Sequence, residues 1–267
     1  MTRIQKYSSF AINLFATIHL ANTSLIPLLT RSVPASETYL ILAREIYQTP
    51  LTEPLLIAIP IVAHVASGVA LRLVRRSQNL KRYGGATPGM YALHRSRTAG
   101  SAGSAASSQS NGFRIWPPLS YISAAGYAFA LCLWAHVGIN RVLPIKVDGG
   151  SSNIGLGYVA HGFARHPAVA WLAYGGLLAV GCGHMVWGSF KWVGLAPSTA
   201  SWSKNQVIGK QLRKRRRRAW LSVHGVALFV AGLWAAGGLG VVARGGLASG
   251  WVGKLYDDLF AKVGLAA

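Results

Sequence analysis

Acidic residues are scarce in this chain: six Asp and Glu among 267 residues, against 27 Lys and Arg. Charged residues of both signs amount to 12%, roughly half the ~25% of a soluble domain, which argues against one or two ordinary globular domains. Cysteine is scarce too. Cys132 and Cys182 are the whole complement, so a disulfide framework is excluded, and with no C-x-x-C so is a thiolate zinc site. G-x-S-x-G, the P-loop and paired carboxylates within apolar stretches are all missing. With them go the hydrolase and nucleotide-binding readings that rest on those patterns. What is abundant is apolar: 52% of the residues, far too much for a disordered chain. The remaining class is a membrane protein.

A bilayer core about 30 Å thick needs roughly 20 apolar helical residues. Five stretches qualify: Ser8–Leu29, Pro54–Val74, Leu119–Ile145, Pro167–Phe190 and Trp220–Val242. Arg3 and Lys6 precede the first as they would a signal peptide, but the apolar run is long for one and no A-x-A site follows, so it reads as a span. The predicted fold is an all-α membrane protein of five transmembrane helices. Four form a bundle from a duplicated two-helix unit, and a fifth helix and a C-terminal amphipathic helix are added. In residues this divides as 1–76 for the first repeat, 77–117 for a linker, 118–195 for the second repeat, and 196–267 for a basic loop, the fifth span and the tail.

An odd number of spans puts the termini on opposite faces. On the face of the N-terminus, here the near side, the connecting segments hold 19 basic residues and no acid. The far side holds eight basic residues and all six acids: Glu37, Glu45, Glu53, Asp148, Asp257 and Asp258. That is the positive-inside pattern, so the near side, with the N-terminus, is expected in the cytosol. The run Arg213–Arg218 could belong to a nucleic-acid binder. Its position just before a span favours topology and attraction of anionic lipid headgroups, at about 1 kcal/mol per basic residue, and no nucleic-acid partner is expected.

The longest loop, Arg75–Pro117, is a near-side loop whose centre, Thr98–Gly112, is rich in Gly, Ser and Ala and reads as a flexible linker. On the far side, Ser36–Tyr47 has the pattern of a short amphipathic helix. The tail carries Trp251, Leu255, Leu259 and Phe260 on one side, as an interfacial helix would.

The histidines repeat. His19 and His136 each stand in a His-x7-Pro pattern, ending at Pro27 and Pro144; His64 and His184 each stand in His-x3-Gly, ending at Gly68 and Gly188. The offsets are 117 and 120 residues. An ionisable side chain within a bilayer costs several kcal/mol and marks function by default. One histidine alone would read as a helix–helix hydrogen bond. Four at equivalent positions of a duplicated unit read as metal ligands, and the cofactor that suits paired imidazoles on facing helices is haem b, two groups or one. In an up-down bundle the diagonal partners are His19 with His136 and His64 with His184. Gly68 and Gly188, one turn from their histidines, would leave room for a flat ring, helped by Gly176 and Gly181. Arg141 and Lys146 on the far side, and Arg72, Arg75 and Lys191 on the near side, could meet propionates, though boundary snorkelling explains them at least as well. His94, His161 and His166 are expected in solvated loops. His224 either replaces a ligand or bonds a backbone carbonyl, the second being favoured.

These spans resemble the cytochrome b membrane anchors of succinate dehydrogenase and fumarate reductase, whose five-helix, two-haem form also takes its ligands from the first four spans. The wording of the first repeat is closer to another family. Thr2–Ser9, His19–Pro27, Arg31–Tyr39 and His64–Gly68 resemble the fungal mitochondrial outer-membrane adapter family, first described as complementing loss of a contact-site tether. That resemblance implies a multi-pass protein of the mitochondrial outer membrane, with no enzymatic activity. It would recruit a bridge-like lipid-transfer protein on the cytosolic side and support lipid homeostasis at membrane contact sites. The family's recruiting element is a Pro-x-Pro motif, which none of the 11 prolines forms. The resemblance then implies either a shortened chain or recruitment through another surface, such as the Arg75–Pro117 loop. Two other readings of the same spans stand beside this one: a di-haem cytochrome b passing electrons across the membrane or to a quinone, and a scramblase-like protein whose polar helix faces serve lipid headgroups.

Overall fold

A computed structural model describes residues 1–83, 120–197 and 210–265, and all regular structure among them is helical. The Gly/Ser-rich linker centre, Thr98–Gly112, and His94 lie outside the described residues. Among the described residues, five helices are long and apolar enough to cross a membrane: Thr2–Thr30 (α1), Pro54–Gln78 (within α3, which continues to Tyr83), Tyr121–Asp148 (α4), Pro167–Trp192 (α6) and Gln211–Arg244 (α7 with the 3-10 turn after it). Three shorter helices, Val33–Tyr47 (α2), Leu156–Arg165 (α5) and Gly250–Ala261 (α8), gather on the far side. Helix α1 packs on α3, α4 on α6, and α7 lies against α6 and the end of α1.

The spans are longer than the apolar runs because polar residues extend them. The run Arg213–Arg218 is helical, part of Lys210–Gly238, rather than a loop. Lys and Arg are good helix formers, and a helix leaving the bilayer needs no other partner for its backbone.

Three spans carry a π-turn; α3 opens with one at Pro54–Ala58, and the other two stand at equivalent places of the repeat. Helix α1 widens into a π-turn at Ala21–Leu25 and α4 into one at Gly138–Val142, 117 residues apart. Each precedes a buried proline, Pro27 or Pro144. Proline lacks an N–H and its ring collides with the carbonyl four residues back; inserting one residue into the turn relieves this. Side chains then serve the histidine carbonyls: Thr23 Oγ1 donates to His19 O at 2.9 Å, and Asn140 Nδ2 to His136 O at 2.8 Å. Against the first π-turn, Gly237 of α7 approaches so closely that any Cβ would overlap the Ser24 carbonyl. Ser24 Oγ donates to the carbonyls of Leu233 and Trp234.

Among the described residues, the far-side cap holds most of the buried core. Helix α2 begins at Ser32, whose hydroxyl accepts the Ala35 N–H, and buries Ser36, Leu40, Ala43 and Tyr47, a helical stripe facing the cap. The start of α5 has Gly155 as its cap residue, with no side chain to offer. Glu37 of α2 fills that role, accepting the Leu156 N–H at 2.9 Å and the Gly157 N–H at 3.3 Å. Arg44 donates to the carbonyls of Ile154 and Ser151. The apolar stripe of the tail helix, expected to face lipid at the interface, packs on protein instead. Tyr256, Leu259 and Phe260 are buried in the protein, with Phe260 stacked on Tyr158 at 4.7 Å, and only Trp251 remains largely exposed. Helix α5 offered a protein surface that covers this stripe.

Candidate functional site: two imidazole pairs

The four repeated histidines turn inward and meet in two pairs. The His19 and His136 rings have centroids 6.2 Å apart and planes at 74°; those of His64 and His184 are 6.1 Å apart at 79°. Each pair joins opposite members of the four-helix set, α1 with α4 and α3 with α6. No Nε2 of the four has a hydrogen-bond partner among the described residues.

The near pair is held from outside by backbone. His64 Nδ1–H donates to the Gln5 carbonyl at 3.2 Å and has Ser8 Oγ at 3.4 Å; His184 Nδ1–H donates to the Ile122 carbonyl at 3.1 Å. Gln5 and Ile122 are themselves 117 residues apart. A carbonyl only accepts, so in a neutral imidazole the proton sits on Nδ1 and the lone pair on Nε2. Gly126 lies so close to His184 that a Cβ there would approach the ring at 2.8 Å. Any larger residue would push helix α4 away from the imidazole.

The far pair has other neighbours. His19 stacks on Phe15 at 5.5 Å, and its Nδ1 is buried with no partner. His136 stands edge-on to Tyr174 at 5.6 Å, and the Tyr174 hydroxyl bonds Asn140 Oδ1 at 3.1 Å. The two pairs occupy different depths. The near pair sits at the level of Gln5 and Ile122, and the far pair 14 residues on in each helix, about 21 Å at 1.5 Å per residue.

The glycines divide. Gly188 and Gly176 face open space, whereas Gly68 is covered by the Gln5 side chain at 3.2 Å, and Phe129 fills the position beside Gly181 at 2.8 Å. The room foreseen at Gly68 and Gly181 is therefore taken by side chains. Arg141 is bound to Glu53 through both carboxylate oxygens and to Ser151, so it is engaged within the cap. His224 Nδ1 bonds the Trp220 carbonyl at 2.9 Å and joins neither pair. His161 is buried rather than solvated: its Nδ1 accepts the Ala248 N–H at 3.1 Å, and its Nε2–H donates to Asp257 at 2.9 Å. His166 is half-buried, its Nε2 without a partner. Gln5, Ile122, Gly126 and Asn140 were not visible as site residues in the sequence. The first two act through carbonyls, which carry no residue signature; the 117-residue offset was the available clue.

Among the described residues no three His, Cys, Asp or Glu are placed to share a metal ion. What each pair could hold is an ion whose other positions a macrocycle fills.

Fold and site together define a polytopic all-α membrane protein with paired, half-buried histidines in its bundle. Residues 131–247, from within α4 to just past the fifth span, match the family described as MDM10-complementing protein 1, transmembrane domain. No curated protein and no solved structure matches the chain.

Proposed function

We propose that this chain is a multi-pass, N-terminus-cytosolic protein of the mitochondrial outer membrane. It acts as a non-enzymatic adapter for a lipid-transfer protein at contact sites, and its bundle holds haem b through His19 with His136 and His64 with His184. The adapter part is supported by the match over residues 131–247 and by the first-repeat resemblance. The helical run Arg213–Arg218 suits anionic headgroups on the same face.

The haem part rests on one observation: the near-pair Nδ1 atoms are bonded to equivalent carbonyls, leaving both Nε2 atoms without a hydrogen-bond partner in rings whose centroids are 6.1 Å apart. Centroids about 6 Å apart also suit an ordinary edge-to-face contact. A contact of that kind does not need both outer nitrogens held, whereas metal-ligating histidines regularly donate the other N–H to a carbonyl or carboxylate. The residues present fit the group. When bound, haem supplies one-electron redox chemistry; the protein sets ring orientation and, in the near pair, keeps Nε2 unprotonated.

The test is an absorbance spectrum and haem assay of the purified protein, produced with ample haem. A low-spin Soret band is expected, and His184→Ala should remove about half the haem while insertion stays intact. A colourless wild-type protein overturns the haem reading. Deleting residues 77–117 should abolish capture of the lipid-transfer partner without changing haem content; undiminished capture assigns recruitment elsewhere.

A further inference from the structure

The two pairs are built from the same repeat but are not equally prepared, and we infer that the near pair, His64 and His184, is the tight haem site and the far pair, His19 and His136, a weak second one. This rests on the haem reading above. In the near pair both Nδ1–H groups are bonded to carbonyls, which selects the ligating tautomer and makes Nε2 more basic.

In the far pair neither imidazole has such an acceptor. His19 Nδ1 is buried and unpartnered. His136 Nδ1 faces Asn140 Nδ2 at 3.4 Å. The orientation of that amide is fixed by a second bond: Asn140 Nδ2 donates to the His136 carbonyl, which can only accept, while Oδ1 is engaged by Tyr174. The group beside Nδ1 is therefore an N–H donor. It favours a bare Nδ1, and in a neutral ring this puts the proton on Nε2, the atom that must bind iron. Haem binding at the far pair must first move that proton. Loss of an outer-shell partner costs metal sites roughly 10–100-fold in affinity, and a difference of that order separates the two pairs.

The experiment is transfer of haem from the full-length protein in detergent to excess apomyoglobin, followed in the Soret region. Wild type should lose haem in two phases whose rates differ by roughly 10–100-fold. His184→Ala should remove the slow phase and His136→Ala the fast one. Asn140→Asp supplies an acceptor to His136 Nδ1 and should slow the fast phase towards the other. It tests positioning rather than folding, since a merely structural role for Asn140 predicts no slowing. A single phase, or loss of the slow phase in His136→Ala, overturns the inference while leaving the haem reading standing. A wild type that takes up no haem overturns both.

Discussion

The membrane-spanning bundle and the far-side cap bury their residues in opposite ways. In the cap, Tyr158, Leu259 and Val242 are almost wholly enclosed, as in a soluble core. Along the spans, Leu131, Trp134, Leu172, Leu228 and Phe229 are two-thirds or more exposed, facing where lipid would be. The difference follows from the solvent. Lipid tails are as apolar as leucine, so hydrophobic burial gives the spans no reason to associate. Close backbone approach and polar contacts must do it. The bundle has these at Ser24 with Gly237, Asn13 with Ser189 and His64 with Gln5. The cap lies beyond the ends of the spans, and there α8 packs against α5 by burying apolar area between them.

The comparison is broken most directly by trimming leucines in each region. Leu259→Ala empties a fully buried position and is expected to cost about 2–5 kcal/mol. Leu172→Ala, on the exposed face of α6, should cost well under 1 kcal/mol by the same measure. Equilibrium unfolding in mild detergent checks both; equal losses would mean the cap is no more a core than the spans are. Gly237→Ala probes the bundle's own cohesion. The added Cβ meets the Ser24 carbonyl, so α7 must retreat from α1, at about 1–3 kcal/mol. Cross-linking between engineered cysteines on α1 and α7 should fall alongside.

The sequence made the spans legible because their constraint is one of length and polarity, with a period of three to four residues and few competing explanations. The pairing of the histidines was legible for a related reason, since repeat offsets of 117 and 120 residues put each partner at the same helical level. The cap was not. A stripe such as Leu255, Leu259 and Phe260 looks the same whether it faces lipid or protein, and only the arrival of α5 decides. His161 was read as solvated because its partners, Ala248 and Asp257, lie 87 and 96 residues away with no motif linking them. The tautomer of each imidazole was equally hidden, being set by carbonyls and by the direction of one amide.

Within the cap a finer comparison separates two carboxylates. Asp257 is bonded by Arg165 and by His161, which hold its pKa down from 3.8 to about 2. A depressed carboxylate contributes stability that is present above its unfolded value and lost as pH falls through the folded one. Asp257→Asn is therefore expected to cost about 1 kcal/mol at neutral pH, its partly exposed ion pair being screened by solvent, and to weaken the decline in stability between pH 3.8 and about 2.

Glu37 has the opposite sign and the smaller effect. Burial raises its pKa above 4.5, against the N–H groups of Gly157 and Leu156 and the nearby Arg44 that pull it down. Just above pH 4.5 the folded chain thus holds a proton there that the unfolded chain has released. Stability must fall as pH rises through that window, at no more than about 1.4 kcal/mol per pH unit. Glu37→Gln keeps an acceptor for the start of α5 but cannot ionise, so unfolding measured from pH 4.5 upward should lose this slope. The Asp257→Asn protein should keep it. A steeper slope in Glu37→Gln would mean that the charge on Glu37 stabilises the cap, and that the anion at the helix start outweighs the cost of burying it.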